Sequence, residues 1–515
     1  RVDYGVEKFA VDRAIRSIRD CDVALLVIDA AEGISDQDKK IASIILDAGK
    51  GLVIAVNKWD LIENKQANTL SKFDKNLSNE IPFLEFAPKI YISALTKQRL
   101  PQIFENNPYT SLFKIIICLF TLAWAYLSCK WFLNKNYSSW SFYSLILLEV
   151  LLLSLAISAL NFAALFVGLQ GAFLLNWFLI RLGDDEEKKK RDAARRFLCF
   201  ALLFAAFFAC GCVLIFMRAG SLEYAAAYEY FSRTAQLSSS DYAAAAMVLL
   251  PLLFMLGLVP FQFWYIDVIG VAILPVSGFL TIVPLFACVA CLTDVVLNAF
   301  FPVWPVLKPV LVVFALLSVG FGVIGANAET NMRRLFGFST LYHLGVIALS
   351  LAAFDDNSVL SSFVYMLVYV LAMSGIYTSF LGMRSRGVYL MELESVSGLS
   401  EVRPYIAAGF LVFLISLIST PPMLGFLGKL SVVNNLVIQG AYTTIFVVLL
   451  AVLMLVYAYL NVIKALYFDT RTNTFDRVDK GAYICLTVNL ILVLISILNP
   501  KYLMNDVEAM LVTIF

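Results

Sequence analysis

Lys429 lies eight residues beyond Pro421, in the run Ser419-Thr420-Pro421-Pro422-Met423-Leu424-Gly425-Phe426-Leu427-Gly428-Lys429. Two consecutive prolines remove two backbone donors and break a helix. Inside a bilayer, broken helices occur where the freed backbone is buried or lines a hydrated cavity. A lysine at the centre of a span costs ~2.5–3.5 kcal/mol on insertion scales, so one kept there usually has a task. The alternative is a lysine near a helix end that snorkels to the interface. A second break is expected at Pro260, in Leu258-Val259-Pro260-Phe261-Gln262-Phe263-Trp264. His343 is the only histidine in the chain and stands eight positions into an apolar run. It could relay protons near neutral pH, or be a packed, hydrogen-bonded core residue. Glu149 is an acid amid Leu147–Leu153 with no partner evident from the sequence. Cys288-Val289-Ala290-Cys291 has redox spacing, but within an apolar helix it reads as small-residue packing.

A different chemistry is written near the N-terminus. Asn57-Lys58-Trp59-Asp60 and Ser93-Ala94-Leu95 each follow a short apolar run. An aspartate at the end of a strand can accept two hydrogen bonds from the N1–H and 2-amino edge of guanine. Asn57 and Lys58 would shape that pocket, and the backbone at Ser93 and Ala94 would donate to the guanine O6.

Composition divides the 515 residues between these two chemistries. Hydrophobic residues make up 61%, charged residues 15%, and mean hydropathy is +0.82, against roughly 45–50% and 25% in soluble domains. A net charge of +1 argues against a nucleic-acid partner. The nine cysteines describe no disulfide framework. Of the first 108 residues 31 are charged, against 46 of the remaining 407. The seam lies at 106–109: residues 1–105 read as a small soluble domain and 110–515 as a polytopic membrane domain, mainly α, embedded in lipid.

The elements that must position these residues follow. Val23–Ala30 and Gly51–Val56 are of strand length, Asp36–Gly49 has helical periodicity, and Lys89–Ile92 is a third strand, which is a βαβ pattern with a parallel sheet. From Tyr109 onward, twelve runs of spanning length are expected, at 110–133, 141–159, 161–182, 194–217, 243–262, 268–298, 302–325, 335–353, 359–382, 404–427, 437–466 and 481–499. Basic residues fall on every second loop: Lys188–Arg191; Arg333 and Arg334; Arg384, Arg386 and Arg403; Arg471, Arg477 and Lys480. The positive-inside rule makes these loops cytoplasmic. The same parity puts residues 1–108 on the opposite face, away from any GTP pool.

The soluble segment closely resembles the second G domain of the GTPase Der over residues 1–105, including Arg1–Phe9. The resemblance implies a P-loop-GTPase-like α/β fragment that is incomplete. The phosphate loop G-x-x-x-x-G-K-[ST] and the switch II Asp-x-x-Gly are both absent from it. Asn57, Lys58, Asp60, Ser93 and Ala94 are then a vestigial guanine site, unable to hold Mg²⁺ or the β- and γ-phosphates. The chain opens at Arg1 rather than Met, so an N-terminal piece is expected to be missing.

The membrane segment resembles the antiporter-like, proton-translocating membrane subunits of NADH-quinone oxidoreductase, and subunit N most closely, over residues 110–515. The likeness rests on Leu256–Trp264, Asn331–Gly345 and Arg403–Lys429, in that order. It implies inverted five-helix repeats with broken helices and a membrane-arm subunit without its own redox centre. NADH and quinone act elsewhere in the complex, so no cofactor is expected on this chain. The partners would be the other membrane-arm subunits, in a bacterial inner (cytoplasmic) membrane. By the same likeness Lys429 and His343 stand at proton-pathway positions. The acid of the family's Gly-Leu-Glu is Gln170 here; the lysine and histidine around Val-Pro-Phe-His are Met255 and Gln262; the lysine of the next helix is Leu285. A neutral amide cannot be the charge that shifts a lysine's pKa, and methionine and leucine carry no proton. The expectation is a divergent subunit N whose own proton path is degraded. The alternatives are a subunit of a multi-subunit cation/proton antiporter and a membrane-tethered, Der-like GTP-binding protein.

The charge parity has a direct check. A reporter active only in the cytoplasm should score in the 183–193 and 384–403 loops and stay silent at 218–242. Signal at 218–242 would overturn the parity.

Overall fold

In the computed structural model, residues 18, 21–30, 33–58, 73, 77, 82, 87, 89–91, 104–135, 137–183, 187–234, 236–478 and 480–498 are described. They fall into two units, 1–102 and 103–515.

In the first unit β1 (Val23–Asp29), α1 (Asp36–Asp47), β2 (Gly51–Asn57) and β3 (Lys89–Tyr91) form a parallel sheet in the order β1-β2-β3. Ser35 caps α1 through a reciprocal pair with Asp38, which satisfies two orphan donors of the first turn. Leu26 and Ile28 of β1 meet Ile45 of α1 and Ile54 and Val56 of β2 in a small core. The alternate residues Val23, Leu25 and Val27 remain exposed.

The second unit is helical. In chain order it comprises α2 (Pro108–Lys135), α3 (Trp140–Ile157), α4 (Phe162–Ile180), α5 (Glu187–Ala219), the short α6 (Tyr224–Arg233), α7 (Ser239–Met255), α8 (Gln262–Val271), α9 (Leu274–Val295), α10 (Trp304–Ala328), α11 (Met332–Leu351) and α12 (Asp356–Gly382). A two-residue hairpin, β4 (Arg384–Ser385) and β5 (Val388–Tyr389), leads on to α13 (Pro404–Ile418), α14 (Leu424–Ile438), α15 (Tyr442–Tyr467) and α16 (Lys480–Leu498). Helix starts are written locally: Asn161 caps α4, Asn331 caps α11, and Asp355 with Ser358 forms a capping box on α12.

Among the described residues, eight stretches are long and apolar enough to cross a membrane, or nine with the bent pair at Leu393–Val402 and Pro404–Ile418. The twelve expected crossings differ from that count for identifiable reasons. One qualifying stretch, Leu274–Ala328, holds both α9 and α10. The expected span 243–262 is a broken pair, α7 and α8, and 404–427 is another, α13 and α14. Each half is too short to qualify because proline interrupts the backbone ladder midway. The described apolar part of α16 is also short.

The loops sort to two ends. At one end Arg333 Nη1 donates to the Ala272 carbonyl at 2.6 Å and Lys190 to Leu182 at 3.3 Å. Trp131 faces Tyr389, and Arg403 reaches the Asp476 carbonyl at 2.9 Å. At the other end Phe162 pairs through its N–H with Leu222, Glu105 with Ser158, and Trp304 through its indole with Ala352. The basic loops thus gather at one end and the alternate loops at the other, as a bundle crossing back and forth requires.

The most enclosed helices are α9, every residue of which is buried, and α11 and α12, with 89% and 83% of their apolar windows buried, whereas α2 and α15 bury a third. The mean hydropathy of α11 is 1.3, the lowest of the qualifying spans. Its polar residues are turned toward protein instead of lipid.

Outside the membrane, Asp476 ties the basic loops together. Its carboxylate accepts from the backbone N–H groups of Gly387 (2.8 Å) and Arg386 (2.9 Å) and from Arg384 Nε (3.0 Å). The Gly387 N–H first, then the Arg386 N–H and the Arg384 guanidinium, holds the carboxyl below its ordinary value. A depressed folded-state pKa gives stability that is complete above the unfolded value of about 3.9 and is lost as pH falls through the folded value. Asp476→Asn should therefore cost ~1–2 kcal/mol at pH 7, after discounting for solvent. The difference from wild type should vanish in melting curves taken at acid pH.

Candidate functional site

The lysine is placed by the second broken helix. α13 ends at Ile418, and Ser419 adopts a left-handed conformation (φ 66°) while its N–H returns to Ile415 at 3.1 Å. Pro421 and Pro422 then exclude further helix until Leu424. Gly425 packs directly on the Ser416 carbonyl, where any Cβ would clash with the oxygen, so only glycine lets the two halves approach. One turn on, Gly428 abuts Tyr365 of α12. These two contacts set the depth of Lys429, which is buried (6% exposed) with Nζ 5.4 Å from the centroid of the Tyr342 ring on α11. It does not snorkel. Cation–π contact supplies part of its solvation, and among the described residues it has no ion pair.

His343 lies on α11 next to Tyr342, whose ring meets the imidazole edge-on at 5.1 Å. Its Nδ1 pairs with the Tyr365 hydroxyl at 2.8 Å and its Nε2 with the Tyr459 hydroxyl at 3.2 Å. Tyr459, from α15, also bonds Ser339. One turn along α11, Thr340 accepts from Tyr369 at 2.9 Å. The Tyr369 hydroxyl also reaches the Thr281 carbonyl of α9, and the Thr281 hydroxyl joins Tyr377 (3.1 Å) and Tyr265 of α8 (3.0 Å). Two hydroxyl clusters therefore abut at the His343–Tyr369 ring contact of 5.6 Å. Sequence reasoning passed over these tyrosines. The available signal was Tyr365 and Tyr369, four apart on one face of an apolar helix.

The first break is filled differently. Met255 ends α7 fully buried, and Leu285 of α9 is 1% exposed. Phe254, next to Met255 in sequence, packs against Phe173, Phe197, Phe204 and Trp264 with centroids 4.7–5.9 Å apart. The backbone freed near Pro260 is satisfied internally: Trp264 Nε1 donates to the Phe254 carbonyl at 2.6 Å, and Val259 N–H to Ser318 at 2.8 Å. Gln170 and Gln262 are half-buried, each with one side-chain atom that finds no protein partner.

Glu149 has a partner that the sequence did not name. α3 and α4 pack closely because Gly168 sits on the Leu152 carbonyl and Ala156. Two turns along α4, the Asn176 amide donates to both Glu149 oxygens, at 2.8 and 3.1 Å, and both residues are fully buried. Asp294, another buried acid missed in the sequence, accepts from Asn298 at 2.8 Å.

In the first unit Lys58 ends β2 and forms an ion pair with Asp29 of β1 at 2.6 Å. Asn57 and Lys58 thus sit at the carboxyl edge of a parallel sheet, where open α/β sheets bind ligands. Asp60, Ser93 and Ala94 lie outside the described residues.

Comparison with known proteins now adds a family. The profile described as NADH:quinone oxidoreductase/Mrp antiporter, TM, matches residues 159–454. The chain belongs to that family. Its relatives include NADH-quinone oxidoreductase subunit N of Rhodospirillum rubrum, 25% identical over 73% of this chain and 77% of the relative. The same-named protein of Thioalkalivibrio sulfidiphilus is 26% identical over 78% and 84%. The fold is that of a chain in respiratory complex I of Thermus thermophilus (TM-score 0.67, 24% identity, 79% and 87% covered). It is shared with a chain of the Mrp complex from Dietzia (TM-score 0.72, 17% identity, 80% and 84% covered). The Elongation factor Tu GTP binding domain profile matches residues 5–125.

The Glu149–Asn176 pair yields a test. Asn176→Leu removes the donor and should cost ~1–3 kcal/mol, read as a lower Tm of the detergent-solubilised protein. The double variant Glu149→Leu with Asn176→Leu should recover most of that loss, since an apolar pair leaves nothing unsatisfied. No recovery would show that the acid is needed for more than packing.

Proposed function

We propose that this chain is a subunit N-like component of the membrane arm of a bacterial NADH-quinone oxidoreductase, set in the cytoplasmic membrane and held between other membrane-arm subunits. Electron transfer from NADH to quinone takes place on those other subunits, and this chain couples to it through its buried polar interior. The relatives named subunit N support the assignment, as does the breadth of their coverage.

The observation that carries the mechanistic part is the contrast between the two breaks. Proton transfer needs groups that accept and release a proton, linked by hydrogen bonds or water. Lys429 and His343 are two such bases on either side of Tyr342, and the hydroxyls of Tyr365, Tyr459 and Ser339 extend from them. At the first break the corresponding positions hold Gln170, Met255, Gln262 and Leu285, and aromatic rings fill the space. The second half of a proton path is retained and the first half is closed. Glu149, about two helical turns from Gly168-Leu169-Gln170 across the α3–α4 contact, is held by an amide and has no base beside it among the described residues.

The test is proton-to-electron stoichiometry of the assembled complex in vesicles. Lys429→Met should change it little, and Gln170→Glu with Met255→Lys should not raise it, because Leu285 and the aromatic packing still bar the way. A clear loss of transported protons with Lys429→Met would overturn the closed first half. Restoration of sodium tolerance in an antiporter-deficient strain, without other respiratory subunits, would instead favour the cation/proton antiporter.

A further inference from the structure

On the membrane face where α2, α9, α12 and α16 meet there is an apolar groove of about 400 Å³. Leu119 and Trp124 of α2, Phe279 of α9, Leu371 of α12, and Val488 and Leu492 of α16 are among its walls. Its few polar atoms are already engaged: Trp124 Nε1 donates to the Pro275 carbonyl at 2.7 Å, and Ser374 to Asn489 at 3.0 Å. The wall is overwhelmingly apolar.

The groove has a direction. Along α2 it runs from Ile116 to Leu127, eleven residues or about 16 Å of helix, close to half of a hydrocarbon core about 30 Å thick. At Leu127 it meets a second hollow of about 350 Å³, lined by Tyr126, Lys130 and Trp131 of α2, Tyr389 of the hairpin, and Lys480 and Gly481 of α16. All three helices that line both hollows agree on the order. On α2 the second hollow lies C-terminal to the groove, on α12 it is reached at Leu381, and on antiparallel α16 it lies N-terminal to the groove. The second hollow is therefore at the basic end of the bundle. Lys130 and Lys480 are exposed, and neither forms an ion pair among the described residues. Among the described residues no acid lines either hollow. Lys135, Lys190 and Arg333 line a third hollow on the far side of the Trp131–Tyr389 pair and add to the positive potential.

We propose that this groove is a binding site for one anionic phospholipid, with an acyl chain along α2 and α16 and the phosphate between Lys130 and Lys480. An apolar slot one leaflet deep, capped by two cations and flanked by Trp131, Tyr126 and Tyr389 at interfacial depth, matches a lipid at both ends. A neighbouring protein helix would need an acid placed at the basic end and would leave the aromatic rim wet. The site does not depend on whether this subunit moves protons.

The full chain, purified in mild detergent and stripped of lipid, is titrated with phosphatidylglycerol or phosphatidylcholine and read by native mass spectrometry. Phosphatidylglycerol should bind about tenfold more tightly, given two lysines near the phosphate. Lys130→Gln with Lys480→Gln should bring the two lipids within about twofold of each other by removing that attraction. Val488→Trp, which fills a half-exposed wall position, should weaken both. Equal affinity for the two lipids in the wild type would overturn the proposal without any variant. So would a preference that survives loss of both lysines, or lipid binding untouched by Val488→Trp. Displacement by glycerol 3-phosphate as effectively as by the lipid would overturn the groove's part. A protein cross-linked through Val488→Cys in the assembled complex would identify a protein occupant instead.

Discussion

A polar atom inside a bilayer has no water to turn to, and this one constraint organises the membrane unit. Each unsatisfied backbone or side-chain group there costs several kcal/mol, so every departure from continuous helix must be answered within the protein. At the first break the answer is a tryptophan N–H and a serine hydroxyl. At the second it is a left-handed serine, a returned N–H and a glycine pressed onto a carbonyl. The same rule sets the order of the helices. α11 and α12, which carry His343 and most of the buried tyrosines of the cluster, are enclosed by other helices, as is α9.

The two breaks have similar backbone causes and opposite side-chain consequences. Phenyl and indole rings pack around the first, so the space that could hold water holds carbon. Hydroxyls gather around the second, and they extend from α15 through α11 and α12 to α8 and α9. Tyrosine suits this task because its ring fills core volume while its hydroxyl both donates and accepts. Such a chain can pass a proton between bases but cannot replace the charges that would drive it.

The N-terminal unit obeys a different solvent. Its core is a few strand and helix residues, and its motif lysine is tied to Asp29 at the sheet edge.

Much was legible in the sequence because it is local. Prolines at 260, 421 and 422 announce broken helices wherever they sit, since a missing N–H is a property of the residue itself. Alternating basic loops announce the two ends of the bundle. The absence of charge at 170, 255, 262 and 285 can be read residue by residue. What the sequence could not decide is which distant groups meet. Lys429 could have snorkelled; Gly425 and Gly428, by seating α14 against α13 and α12, bury it on Tyr342 instead. Glu149 had no evident partner because Asn176 lies on another helix, brought near by Gly168. His343 was a lone histidine until α12 and α15 each supplied a hydroxyl. Sequence fixes what each residue can donate, accept or exclude, whereas a partner many residues away exists only once helices have chosen their packing faces, and that choice is made by the tertiary fold.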